Sequence, residues 1–402
     1  MKKIDSTAAA RGLRVAAFRG VRYDFRRTSL SRALCPPYDV IPEELALRLR
    51  RVPGNAIHLE LPAGAGERRY RDARRLWERW REKGLLVIDE RPAFYAVEQT
   101  FRFGGSAYRR AGVLAALGLD EGTARRVLPH ERTLSNPKRD RARLLRALGV
   151  NTSPIFAIFS DPGRRLRGAL DAVRRTRPLA AGRDTGGVAY RLWRVDSPER
   201  VERMERAFRS RRLLIADGHH RYEAAREHRR LAGRKGGGHV LAYLVAEEDP
   251  GLIVNPTHRV LRDSGEVRAA LARHCASRAA AGLPALTKAL ARAPSPFAFG
   301  LYDGSFRLML PARGDRGVAS RFGTDWMARR LLASVDPQDI SYRHQAAEAV
   351  REARLRRGLA LLVKPFSVPD IRRAVARAGL LPQKSTYFYP KIATGLVFRR
   401  CV

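Results

Sequence analysis

The stretch Leu213-Leu214-Ile215-Ala216-Asp217-Gly218-His219-His220-Arg221-Tyr222 restricts the fold more than any other part of the chain. Leu213 to Ala216 read as a short buried strand. Gly218 ends it, because glycine takes left-handed backbone angles without the cost a Cβ brings. Ala224, Ala225, His228 and Leu231 then recur at helical spacing, and Gly233 closes the helix. A strand that turns at once into a helix leaves the first helical N–H groups and the positive dipole end facing the strand's carboxyl edge. Phosphate groups are held at such edges, and His219, His220 and Arg221 add donors there. Two other readings of these residues stand beside this one. Adjacent histidines also cap and pack without chemistry. They can also ligate metal, although neighbours on a helix point in different directions and no second paired-ligand spacing accompanies them.

Around this turn the spacing predicts a mixed α/β fold. Strands are expected at Val15 to Val21, Ala56 to Leu61, Pro154 to Phe159, Val188 to Val195 and His239 to Ala246. Ala93 to Phe103 and Tyr108 to Leu119 alternate across Gly104-Gly105, a hairpin signal, and Phe297 to Leu310 repeats it through Asp303-Gly304. Helices are expected from Pro42, at Gly66 to Lys83, Pro137 to Leu148, Leu166 to Arg175, Pro198 to Arg209, Asp325 to Leu332, Gln345 to Arg356 and Pro369 to Ala378, the last three around a strand at Leu359 to Val363. Leu252 to Arg259 reads as a strand ending in a polar cluster. The Ala- and Arg-rich run Glu266 to Pro294 reads as helical and as the place for a boundary or insertion. Three segments result: a mixed α/β segment 1–160, a core 161–262 built on strand 213–216 and helix 219–232, and a C-terminal α/β segment 263–402.

The chain has 402 residues, 45% of them hydrophobic, enough for two or three ordinary cores. Its formal net charge of +39 comes mostly from arginine spread along the whole sequence. Such a charge suits a protein that handles nucleotides or nucleic acid, and equally a genome that favours arginine on solvated helix faces. Cys35, Cys275 and Cys401 have neither metal nor redox spacing. No signal peptide or membrane-length apolar run is visible, so a cytoplasmic protein without a membrane partner is expected. The oligomeric state is not readable.

Gly66-Glu67-Arg68-Arg69 is similar to the nucleotide-binding box of ParB-type segregation proteins. No apolar strand precedes it, however, and its arginines continue as a solvated helical face, which favours coincidence. A broader resemblance covers nearly the whole chain. Pro36-Pro37-Tyr38-Asp39-Val40-Ile41, Leu128-Pro129-His130-Glu131, Ala216-Asp217-Gly218-His219-His220-Arg221-Tyr222, Asn255-Pro256-Thr257-His258-Arg259 and Lys384-Ser385-Thr386-Tyr387-Phe388-Tyr389-Pro390-Lys391 occur in order. Together they resemble the bacterial and archaeal family catalogued as domain of unknown function 1015, often labelled ParB-like. The Asp-Gly-His-His-Arg turn is also similar to that of free-serine kinases of the ParB/sulfiredoxin fold. In those kinases the loop and helix start bind nucleotide phosphates, and a carboxylate is the base for the serine hydroxyl. Only Asp217, Gly218, His219, His220 and Arg221 match that motif, and the kinases' separate catalytic glutamate does not align.

The resemblance implies a ParB/sulfiredoxin-like core and a nucleotide-dependent kinase for a small hydroxy amino acid, with free L-serine foremost, ATP or ADP as donor and Mg²⁺. Phosphoryl transfer needs cationic donors, usually a metal, and a base near the hydroxyl. Asp217 is the candidate metal ligand or base, His220 and Glu131 the other catalytic candidates, and Asp39 a further carboxylate in a motif loop. Gly218, His219, Arg221, Arg259, Lys384, Ser385 and Lys391 are candidates for the nucleotide. Tyr38, Asp39, His130, Asn255 and His258 are candidates for the substrate. The tail from Pro382 to Lys391 is expected as a fixed loop closing on an anion, or else as a strand with solvated lysines. The alternatives are a ParB-like nucleotide- or nucleic-acid-binding protein without kinase activity, which lacks a helix-turn-helix signal, and a metal-dependent hydrolase using His130, His219, His220 and His258.

Overall fold

The computed structural model describes residues 12–131, 135–232, 237–312, 323–378 and 386–401. The chain forms two compact units. The first comprises Met1–Pro129, Thr133–Ile253 and Pro390–Val402, and the second His130–Arg132 and Val254–Tyr389. These do not follow the three consecutive segments expected from sequence, because the last residues return to the first unit.

The first unit is built on a nine-stranded sheet. Its strands are β1 (Val15–Ala16), β2 (Phe94–Phe103), β3 (Ser106–Gly118), β4 (Val127–Leu128), β5 (Ile155–Phe159), β6 (Ala180–Arg183), β7 (Ala189–Val195), β8 (Leu213–Asp217) and β9 (His239–Ala246). They lie in the order β4-β8-β5-β9-β3-β2-β7-β6, with β1 beside β3. The hairpin expected at Gly104-Gly105 is the β2–β3 pair, Phe103 opposite Ser106. Pairing is mostly antiparallel, but β4 runs parallel to β8 and β5 parallel to β9. The carboxyl ends of β4 and β8 and the amino end of β5 therefore share one sheet edge. Leu213, Ile215, Phe159, Leu244, Trp193 and Phe208 belong to the core of this sheet. Each large apolar side chain so buried contributes roughly 1.5–3 kcal/mol.

A smaller four-stranded sheet in the same unit runs Leu86–Ile88, Gly20–Tyr23, Phe398–Arg400, Val150–Asn151. It shares a core with helix α1 (Arg68–Glu82), whose Tyr70, Ala73, Trp77 and Trp80 are buried while most of its arginines face solvent. Phe398 and Arg399, paired with Val21 and Gly20, tie the C-terminal segment into this unit. Helix α2 (Ser135–Leu148) packs against helix α3 (His219–Ala232).

The second unit is a six-stranded antiparallel sheet ordered Cys275–Ala280, Phe306–Pro311, Phe299–Tyr302, Gly358–Val363, His258–Arg262, Ser341–Arg343. Leu261, Phe299, Leu361 and Trp326 are buried in one cluster, and Val260, Leu286, Ala360 and Leu362 in another. This alternation along the strands is that of a sheet covered on both faces.

Four local expectations are corrected. Ala56 to Leu61 is not a strand: Ile57–Glu60 is a helical turn, and Asn55 Oδ1 accepts from Ile57 N at 3.0 Å. Ile57 to Leu61 alternates apolar and polar residues as a strand does, but over so short a run that a helical turn fits it as well. The helical run from Glu266 is interrupted by strand Cys275–Ala280, because pairing along Phe306–Pro311 overrides alanine's helix preference. The strand Leu252 to Arg259 is two strands, Ile253–Asn255 and His258–Arg262, parted by Pro256 and Thr257. Val15 to Val21 is likewise split, into β1 and Gly20–Tyr23. Among the described residues no helix is long and apolar enough to cross a membrane.

Candidate functional site

At the carboxyl end of β8 the chain turns through Gly218, φ +90°, straight into α3. A Cβ on Gly218 would stand 3.1 Å from the Arg221 guanidinium as well as straining the backbone. The turn therefore requires glycine twice over. Arg221 folds back so that Nη2 donates to Asp217 Oδ2 at 2.6 Å and Nη1 to the Pro154 carbonyl just before β5. The guanidinium is thus a clamp across the mouths of β8 and β5, and its buried Nε has no hydrogen-bond partner among the described residues.

Two distant segments complete this cluster. Lys391, from the returning C-terminal segment, places its ammonium 2.7 Å from Asp217 Oδ1 and in contact with Asp39 Oδ2. Its side chain is only 11% exposed. Burial opposes the charge, but Asp217 and then Asp39 outweigh it and hold the lysine above its ordinary pKa. His220 in the first turn of α3 is half-buried; burial lowers its pKa, against the pull of Asp39, so the imidazole is neutral at pH 7. Tyr38 is pushed up to about 12 by burial, with Arg221 acting the other way. Asp39, Asp217, His220, Arg221 and Lys391 form one mixed-charge cluster within the first unit.

A second, deeper layer was missed in the sequence. Glu60 is fully buried and accepts from Thr152 Oγ1 at 2.6 Å, Ser153 Oγ at 2.9 Å and the Tyr38 N–H at 3.4 Å. Arg141 donates to the Glu60 carbonyl at 2.8 Å, and its guanidinium lies 4.1 Å from the centre of the Tyr38 ring. These contacts fix the backbone that carries Asp39. The only signal for it was an acidic residue between Leu59 and Leu61, where a charge buried with its apolar neighbours needs dedicated partners.

The remaining candidates, His219 apart, belong to the second unit. His130 is fully buried, with Nε2 2.8 Å from Thr386 Oγ1 and its ring edge-on to Phe388. Glu131 acts electrostatically on Tyr342. Asn255 is buried, and His258 accepts from Val363 N at Nδ1, 3.1 Å away. Burial, then Arg259 and His344, lowers His258 to about 4. Arg259 is buried too and lowered to about 10, donating to the Thr257 carbonyl at 2.6 Å. Lys384 and Ser385 lie outside the described residues, while Tyr387–Tyr389 is a strand. His219 is buried. Among the described residues no group of three or more His, Cys, Asp or Glu side chains is placed to hold a metal ion.

No curated protein matches the chain. Among solved structures it is similar to a conserved hypothetical protein from Pyrococcus furiosus, at 14% identity and TM-score 0.36, covering 71% of this chain and 95% of that one. It is also similar to a free serine kinase in complex with AMP, at 12% identity and TM-score 0.40, covering 71% and 92%. A third likeness is to C-terminally truncated SbnI from Staphylococcus aureus, at 11% identity and TM-score 0.40, covering 70% and 85%. The ordered motif loops that organise both units lie in a chain whose residues 15–336 match the family described as protein of unknown function (DUF1015), and the chain belongs to that family.

Proposed function

We propose that this protein is a nucleotide-dependent phosphotransferase that acts on a small hydroxy amino acid, with free L-serine the first acceptor to test and ATP or ADP the donor. The observation that carries the reading is the β8–Gly218–α3 turn, which sets a helix start, a neutral His220 and the Lys391 ammonium beside the carboxylates Asp39 and Asp217. Phosphoryl transfer asks a protein mainly for positioning and for positive charge near the phosphate oxygens. Amide groups of the first turn of α3 and the His220 ring supply uncharged donors there, and Lys391 supplies charge. Arg221 serves by holding Asp217 rather than by reaching outward.

The Lys391 ammonium takes the place between Asp39 and Asp217 that a cation bound by those two carboxylates would occupy. Asp217 therefore does not suit the metal role expected of it. Mg²⁺, which neutralises phosphate oxygens when bound with a nucleotide, would ride on the donor phosphates.

Incubating the protein with ATP or ADP, Mg²⁺ and L-serine, and following phosphorus resonances, tests the reading. Phosphoserine is expected, and His220→Ala should reduce its formation while the melting temperature holds. Failure with both donors across a panel of hydroxy amino acids overturns the proposal.

A further inference from the structure

Arg110 is a fully buried arginine on an inner strand of the large sheet, outside every motif loop. A guanidinium in such a place is costly unless its donors meet fixed acceptors. Here the fork spans two of them. Nε and Nη2 donate to Gln99 Oε1 at 3.1 and 2.7 Å, and Nη2 also donates to the Pro390 carbonyl. Gln99 turns its amide nitrogen the other way, donating to the Lys391 carbonyl at 3.4 Å and to the Tyr190 hydroxyl at 3.3 Å. Tyr190 in turn donates to Asp184 Oδ2 at 3.1 Å. The carbonyls of Pro390 and Lys391 are thus both held by one buried polar group, and the Lys391 Cα lies between them. The guanidinium also lies 4.9 Å from the centre of the Phe156 ring, and Phe156 is the register partner of Asp217 in the sheet. The same side chain therefore touches the strand neighbour of Asp217 and the backbone of the lysine that pairs with Asp217.

We infer that Arg110, acting with Gln99, is a positioning residue that fixes the Pro390–Lys391 backbone so that the Lys391 ammonium stays between Asp39 and Asp217. A lysine stem has four carbon–carbon rotations to order, and an anchored backbone spares the ion pairs the further cost of ordering the main chain that carries it. Lysine cannot replace Arg110, because a point charge does not reproduce a planar fork that meets two acceptors at once. Its consequence for turnover rests on the phosphotransferase reading; its consequence for Lys391 does not.

The test measures acetylation of Lys391 by acetic anhydride in the folded full-length protein, peptide by peptide, in wild type, Arg110→Met, Arg110→Lys and Gln99→Ala. Wild-type Lys391 should react slowly. Arg110→Met and Gln99→Ala should raise its rate at least about tenfold, equivalent to loosening the contact by about 1.4 kcal/mol, while other lysines keep their rates. Arg110→Lys should fall between. If Arg110→Met does not fold, Gln99→Ala keeps the guanidinium and decides the matter alone. Unchanged Lys391 labelling in the folded variants overturns the proposal. Labelling is read without substrate, so a wild type that transfers no phosphate removes the functional reading and leaves this one standing. If transfer occurs, the same variants should lower kcat more than they raise KM for the nucleotide.

Discussion

The Lys391 ammonium stands 2.7 Å from Asp217 Oδ1 and joins it to Asp39, three residues that no local sequence pattern connects. Replacing Lys391 by Met leaves Asp39 and Asp217 facing each other with Arg221, on Asp217, as their counter-ion among the described residues. Removing one partner from a buried ion pair costs about 3–5 kcal/mol, and the low end applies here because Asp39 is partly exposed. Because the folded lysine titrates above its ordinary value of 10.5, its ion pairs contribute fully below that pH and fade as pH rises through the folded value. The stability gap between wild type and Lys391→Met, from urea melts, should therefore be flat from neutral pH to the ordinary lysine value and shrink above it. A gap independent of alkaline pH would show that the ammonium is not what stabilises the cluster.

Gly218 at φ +90° admits no Cβ without strain, and an added methyl would press on the Arg221 guanidinium. Gly218→Ala should lose about 1–3 kcal/mol and should disturb the Asp217–Arg221 pair. Chemical denaturation gives the first quantity. A variant as stable as wild type would mean the turn tolerates another path.

Glu60 offers its carboxylate to two hydroxyls and a backbone N–H with no exposure to water. Glu60→Ala strands those donors, and a loss of about 3 kcal/mol is expected. The double variant Glu60→Ala with Thr152→Val should cost less than the sum of the single changes, since both act on one network. Additive losses would show that the hydroxyl and the carboxylate do not cooperate.

His258 accepts from Val363 N through Nδ1, so protonating that atom breaks a buried hydrogen bond. Its pKa is lowered to about 4 by burial, then by Arg259 and His344. The unfolded chain takes up the proton first, so stability from this group is present above about 6.5 and lost as pH falls toward 4. Scaled at 1.36 kcal/mol per pKa unit, the loss is about 3 kcal/mol. His258→Asn should show a shallower decline over that interval in acid melts. Parallel decline in both proteins would place the acid sensitivity elsewhere.

The strand, the glycine turn and the helix around Asp217 were legible because each depends on neighbours: four apolar residues, a glycine with a positive φ and a helical period. The β2–β3 hairpin and the helix carrying Trp77 and Trp80 were legible for the same reason. Asp39, Asp217, Arg221 and Lys391 stood out in their motif loops, but their pairing did not, because ion pairing has no sequence period. Lys391 reads as one of two lysines in a polar tail, yet folding sets it between Asp39 and Asp217. Arg110 reads as one of many arginines, yet it is buried on a strand with a backbone carbonyl from the far end of the chain. Sequence by itself determined the elements and the polar residues gathered at the Asp217 turn. Only the tertiary structure decided which charges are buried together, since that choice is made by burial and pairing across hundreds of residues.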